Sequence, residues 1–403
     1  MIRKRLFLFV LTGAMLLSGC LRDIPSKPQE EVDTFIYPWM AGESPVPERR
    51  VGLLRQGLIN TPQAISPSGV YFMEQGGDSK GNFILYADHG SDTLIRLCGR
   101  ADCSHSDEDC NAYLYRGSSL SYYNDHLYGV SGKLSEEACM LVRMNPDGSN
   151  HVAVLDILEF AREHGGDYVE WCGISDGILM FDVWHWVEDE TYGEDPYKKA
   201  YCGTFLQSYY YRLDGSMRDP EEVNCNGLLL NDIPNGFLVW LEESKTGIKE
   251  GSFWSWDFDT NTGGYLTDYP GQFGWFDEKQ VYYHWDGAIC RRDNATGTET
   301  VMVETGLEGD YYLTAFPDCI VLTSLSAETT ASKMIYIYNW AFELIDAVNI
   351  DYPHSSSIND LLICETAERF ILSDNNKGNP LYYIEKSELG TGNVQIHEFQ
   401  YFK

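Results

Sequence analysis

Three cysteines and one histidine fall within the thirteen residues Cys98 to Cys110, in the pattern Cys-x4-Cys-x-His-x4-Cys formed by Cys98, Cys103, His105 and Cys110. Thiolates and imidazole are the ligands tetrahedral zinc takes, and a short polar loop can wrap such an ion without strain. Between Gly99 and Asn111 almost nothing is apolar, so burial cannot order the stretch. A structural zinc could, since such sites contribute on the order of 10 kcal/mol or more to folding. Four protein ligands fill the tetrahedron and leave no position for a reacting water, so the expected cofactor is a structural zinc. Two readings compete with it. A Cys103–Cys110 disulfide would close an eight-residue loop, worth roughly 2.5 kcal/mol on the chain-entropy model, and the oxidising compartment met by exported proteins favours it. The other is three unbonded thiols. The remaining cysteines of the mature chain, Cys139, Cys172, Cys202, Cys225, Cys290, Cys319 and Cys364, are spread singly and several sit in apolar runs, as buried free thiols do. Abundant free thiols imply a reducing habitat, in which a thiolate metal site survives.

A second chemistry lies in "DVWHWVEDETYGEDPYKKAYC", Asp182 to Cys202, where Trp184 and Trp186 alternate ahead of an acidic tract. Rigid aromatic area beside carboxylates suits a sugar ring or a basic peptide. Trp184, Trp186, Glu188 and Tyr192 are therefore the candidate ligand-binding residues, against the plainer reading that both tryptophans pack between strands. Trp254 and Trp256 in "SFWSWDF" repeat the alternation and are expected to pack. Gly173-Ile174-Ser175-Asp176-Gly177 matches the nucleophile elbow, but the elbow needs a helix after the serine. "ILMFDVW" follows instead, so a hairpin turn is expected. The chain contains no phosphate-binding G-x-x-x-x-G-K-[ST], no H-E-x-x-H and no C-x-x-C. With 61 acidic residues, a pair at glycosidase distance arises by chance and carries no signal.

The elements that must position these residues are strands. Short β-branched and aromatic runs recur between turns rich in Asp, Asn and Gly, such as "YADHGSDTLIRL", "VRMNPDGSNHVAVL" and "WDFDTNTGGYL". Seven such turns predict an all-β chain folded as one β-propeller of seven blades, with six or eight as neighbouring counts and two β-sandwiches as the rival architecture. Blades are expected to begin near Ser68, Leu120, Tyr168, Leu228, Phe273, Tyr312 and Ser357, with Val51 to Asn60 supplying the strand that closes the ring. One short helix is expected in "LDILEFAREHGG", Leu155 to Gly166, with Gly165 ending it.

The N-terminus reads as an address. "MIRKR" is basic, the next twelve residues are nearly all apolar, and the run closes on Leu17-Ser18-Gly19-Cys20. Twelve residues are too few to span ~30 Å of hydrocarbon. The ending resembles a bacterial lipobox, which makes residues 1–19 a signal peptide and Cys20 the lipidated residue, its acyl chains (palmitate among them) anchoring the protein at the extracytoplasmic face of the cell membrane. Residues 20–50, carrying Pro25, Pro28, Pro38, Pro45 and Pro47, read as a flexible tether, and 51–403 as the propeller. The formal net charge of −32 becomes three units more negative once Arg3, Lys4 and Arg5 leave with the signal, so nucleic acid is not an expected partner.

The segment "YADHGSDTLIRLCGRADCSHSDEDCNAY", Tyr86 to Tyr113, resembles uncharacterised surface lipoproteins of anaerobic Gram-positive bacteria, in which Leu-Cys leads into Pro-x-Cys-x-His-acidic-Cys-Asn-Ala. Ala101 stands where that family has proline. The resemblance covers about thirty residues and implies a TolB-like propeller on a lipid anchor, with no reaction attached. The expected function is a lipid-anchored binding or interaction module with a glycan or protein partner. The alternative is an enzyme acting on polysaccharide or cell wall in the central funnel.

Overall fold

The chain divides into Met1–Phe35 and Ile36–Lys403. The computed structural model describes residues 36–45, 63–74, 82–106, 108–115, 117, 119–132, 138–175, 177–188, 201–223, 227–233, 236–241, 252–268, 274–276, 279–309, 311–324, 334–349, 362–373 and 381–402. Cys20, Val51 to Asn60 and Tyr192 lie outside these residues.

Each aromatic or β-branched run becomes a strand where it alternates between neighbours, and each Asp, Asn or Gly cluster becomes the hairpin between two strands. The first sheet is a meander of β1 (Gln63–Ile65), β2 (Gly69–Glu74), β3 (Asn82–Asp88) and β4 (Thr93–Arg96), with the two-residue β5 (Tyr113–Leu114) also paired to β3. β6 (Ser119–Tyr123), β7 (His126–Gly132), β8 (Cys139–Met144) and β9 (Val152–Asp156) make the second. After helix α1 (Ile157–Glu163), the third is β10 (Tyr168–Ser175), β11 (Ile178–Glu188), β12 (Tyr201–Arg212) and β13 (Glu221–Val223). Four more antiparallel sheets of four strands follow, opening at Gly227–Ile233, Gly274–Phe276, Tyr311–Ala315 and Leu362–Glu365. The described residues thus hold seven sheets. Ser175 and Ile178 end and begin adjacent strands, so the serine of the elbow-like motif sits at a hairpin.

Among the described residues, six of the seven neighbouring pairs of sheets meet through apolar clusters. Ile84 and Leu114 meet Leu120, Leu127 and Met144 of the second sheet. Val130 and Leu141, with Ile157 and Leu158 of α1, meet Val169, Leu179 and Phe181 of the third. Met180 and Tyr210 meet Trp256 and Phe258 of the fourth, placing Trp256 in the core as expected. Trp275 and Ile289 of the fifth meet Leu313 and Ile320 of the sixth, and Val321 and Ile337 meet Phe370 and Leu372 of the seventh. Ile371 and Tyr383 then return to Val70, Phe72 and Leu85 of the first. A stack whose last member packs on its first is a ring, and the fold is a β-propeller; two sandwiches have no such return.

The closing strand is C-terminal. Gln400–Phe402 lies parallel to β4, with Gln400 opposite Thr93, Tyr401 opposite Leu94 and Phe402 opposite Ile95. Just before it, His397–Glu398 is the outer strand of the seventh sheet. At the same seam, the Arg369 guanidinium donates to the carbonyls of Ser91 (2.5 Å) and Gly90 (3.0 Å), and to Glu385 at 2.6 Å, while lying 4.0 Å over the Tyr383 ring.

Two smaller features bear on the expectations. α1 takes Asp156 as its N-cap, whose carboxylate accepts the Glu159 N–H at 2.9 Å, and Gly165 follows at φ +84°, where a helix cannot continue. Residues 36–45, read as tether, instead form a strap on the ring. Trp39 is 8% exposed and donates its indole N–H to the Lys386 carbonyl at 3.0 Å. Asn339 donates to the Trp39 carbonyl, and the Ala341 N–H to that of Ala41 at 2.9 Å. Aromatic residues bury apolar area that a flexible tether has no use for, and Tyr37 and Trp39 stack at 5.4 Å.

Candidate functional site

Both flanks of the cysteine loop are fixed by one residue of β3. Ile84 accepts the Leu97 N–H at 2.8 Å and donates to the Ala112 carbonyl at 2.7 Å. On either side, β4 pairs with β3 at Leu85 and Tyr86, and β5 pairs with it at Phe83 and Asn82. β4 and β5 are therefore two halves of one strand line, and the residues between Leu97 and Ala112 are an excursion pinched at its neck. Cys98 and Cys110 stand at that neck.

The donor atoms of Cys98, Cys103, His105 and Cys110 lie within 4.8 Å of one another, with the Cys110 sulfur 3.6 Å from His105 Nδ1. None of these cysteines is in a disulfide, so the Cys103–Cys110 bridge is not formed. Each sulfur accepts a backbone N–H from two residues ahead: Arg100 for Cys98, His105 for Cys103 and Ala112 for Cys110. Such donors stabilise negative sulfur, the form that ligates metal. Cys98 receives a second, from Asn111. Burial raises its thiol pKa, but these N–H groups and the thiols of Cys103 and Cys110 outweigh it and the pKa falls below the usual thiol value. Burial pushes Cys110 up to about 12, with the neighbouring thiols adding to it. The donor set and geometry fit a tetrahedral metal centre.

Arginines brace the loop. Arg96, the last residue of β4, donates to the His105 carbonyl, pairs with Glu74 at 3.1 Å and lies 4.3 Å over the Phe83 ring. Arg100 donates to the Asp109 carbonyl at 2.8 Å and pairs with Asp102 at 3.3 Å. His105 takes φ 54° to turn its ring inward, a conformation in which histidine is enriched. The β8–β9 hairpin closes the other side: a Cβ on Gly148, at φ +78°, would stand 2.4 Å from the Leu97 carbonyl oxygen, so only glycine fits. Spacing singled out the four clustered donors but neither arginine, because a bracing cation needs no fixed offset.

The aromatic candidates sit at the far end of β11. Trp186 is 41% exposed and stacks on Tyr168 at 4.1 Å and 19°, leaving one indole face to solvent. Asp167 holds it there, accepting the Trp186 backbone N–H at 2.8 Å and contacting His185 Nδ1 at 2.6 Å. Trp184 is half-buried, edge-on to Phe205 at 5.7 Å, and its indole N–H finds no hydrogen-bond partner among the described residues. The two tryptophans thus divide between the platform and the packing readings. Glu188 ends β11; Tyr192 lies outside the described residues. Tyr168, Asp167 and His185, which complete the platform, carried no signal in the sequence.

No family model matches the chain and no curated protein matches it. Among solved structures it is similar to TolB from Acinetobacter baumannii, with 11% identity, TM-score 0.33, and 74% of this chain and 64% of that one covered. It is similar to a puromycin-hydrolyzing peptidase of Mycobacterium tuberculosis, with 10% identity, TM-score 0.47, and coverage of 91% and 57%. A puromycin hydrolase gives 13% identity, TM-score 0.44, and coverage of 84% and 52%. The chain spans less than two thirds of each neighbour's length, and the likeness is one of fold.

Proposed function

We propose that this is a lipid-anchored propeller on the extracytoplasmic face of the cell membrane, serving as a binding module that recognises a saccharide on the Trp186 face. The observation that carries the reading is that exposed indole, backed by Tyr168, on a residue whose backbone N–H is held by Asp167. An aromatic face held rigid before binding loses little entropy on contact, and the C–H face of a pyranose matches it. Asp167 and His185, both about half exposed, stand at its edge as hydrogen-bonding groups for sugar hydroxyls. Cys98, Cys103, His105 and Cys110 hold a structural zinc in this reading, beside the first sheet, whereas Trp186 belongs to the third. Nucleic acid is no partner, since the chain carries 61 acidic and 29 basic residues and phosphate backbones would be repelled.

Trp186→Ala is expected to abolish retention on a glycan array and to leave the thermal midpoint within a few degrees, as half-exposed positions allow. Retention of the same glycans by the variant would sink the site. Selective capture of basic peptides in place of glycans would assign the platform to a protein partner.

Cys20 carries the anchor in this proposal. Cys20→Ala is expected to take no label from a fatty-acid probe and to leave the membrane fraction; a variant that is still labelled refutes the lipobox.

A further inference from the structure

The cysteine loop adjoins the strand on which the ring closes. β4 is four residues long and pairs with β3 at only two positions, yet it receives the whole C-terminal strand on its other edge at Thr93, Leu94 and Ile95. A strand so short is marginal alone and must be held at its ends. At its N-terminal end, the carbonyls of Gly90 and Ser91 are held by Arg369, and that of Asp92 accepts the Gln400 N–H at 2.7 Å. At the other end stands the metal centre. Arg96 closes β4 and grips the carbonyl of the ligand His105, and the Cys98 N–H turns back to the Arg96 carbonyl at 2.7 Å.

We infer that a metal ion bound by Cys98, Cys103, His105 and Cys110 is the latch of the ring: by pinching the excursion at its neck it fixes β4, and through β4 it holds Gln400–Phe402 in place. This rests on the metal reading above. Without the ion, three crowded sulfurs and an imidazole are joined only by weak contacts, and the neck and the C-terminal end of β4 are left to the Ile84 backbone bonds and the Arg96 contacts alone. Apart from the cysteines, which lie against the cluster of Leu97 and Ala112, Ala101 is the one apolar side chain between Gly99 and Asp109, so little packing stands in for the ion. Zinc is the cation such a donor set takes.

The test is amide hydrogen exchange on the full chain, purified anaerobically with reductant, loaded with one equivalent of zinc and compared with the chelated protein. Chelation is expected to speed exchange at least tenfold in Thr93–Arg96 and Gln400–Phe402 and to leave Tyr209–Arg212 and Ile320–Ser324 unchanged. Where chelation unfolds the chain, His105→Ala, which keeps three thiolates on the ion, is read in the same way and is expected to loosen the same two strands. Zinc bound at one equivalent with the C-terminal strand equally protected in both states overturns the latch and leaves the metal reading standing. Failure to bind zinc overturns both. Exchange that rises equally in every sheet also overturns the latch, because the ion would then support the fold as a whole.

Discussion

Lys386→Met should lower stability by about 3–5 kcal/mol, the loss expected when one partner of a buried ion pair is removed. Lys386 is fully buried. Its ammonium lies 2.7 Å from Asp318, contacts Glu365, and sits 4.9 Å over the Phe370 ring. Asp318 lies in the turn between the first two strands of the sixth sheet and Glu365 ends the first strand of the seventh, so one lysine bridges two carboxylates brought together by neighbouring blades. Methionine matches the stem in length and leaves those carboxylates facing each other with their compensating charge gone. The loss should appear in a denaturant titration, and as a fall in thermal midpoint on the order of 10 °C. Adding Asp318→Asn and Glu365→Gln to Lys386→Met should restore most of it, since buried charges are often replaced by neutral groups at little cost. A loss under about 1 kcal/mol in the single variant would mean that water reaches the site.

The second large effect is expected at Arg369. Five of its contacts cross or flank the seam: two carbonyls of the first sheet, two nitrogens on Glu385, and the Tyr383 face. Arg369→Lys keeps the charge but cannot reproduce a planar fork that serves Glu385 and two carbonyls at once. It should lose about 2–4 kcal/mol, the range for truncating a buried hydrogen-bonded charge pair, with Arg369→Met at the upper end. Exchange protection should fall at Gly90–Thr93 and at the C-terminal strand together. Loss confined to the seventh sheet would show that Arg369 serves its own blade and that the seam is held by the apolar cluster of Phe72, Tyr383 and Phe399.

These two residues also show where the sequence stopped being informative. The propeller was legible because its units are local: each run of Val, Ile, Tyr or Trp pairs with the next across a short Asp- or Gly-bearing turn, and the expected starts at Leu120, Tyr168, Leu228, Phe273 and Tyr312 fall within one residue of a first strand. Ser68 missed because β1 is three residues long and the louder run GVYFME begins at β2. The clustering of Cys98, Cys103, His105 and Cys110 was legible for the same local reason, four donors within thirteen residues. Lys386, Asp318 and Glu365 come from two sheets and no offset joins them. Arg369 reaches residues more than 270 positions away. Closure was assigned to Val51–Asn60 because a ring needs a visitor strand and those residues precede the first blade. The described closing strand comes from the opposite end, where "HEFQYFK" is too short to announce itself. Residues 20–50 read as tether because five prolines outweigh Tyr37 and Trp39, although proline also suits an extended chain lying on a surface, as residues 36–45 do.

The strap also settles how the ring bears force. A pull arriving along the chain from the N-terminal side is met first at Trp39 and Ala41, whose bonds run to Lys386, Asn339 and Ala341 in the sixth and seventh sheets. The closing strand belongs to the other end of the chain and pairs with the first sheet. A load entering there therefore falls on the strap before it reaches the hydrogen bonds that close the circle.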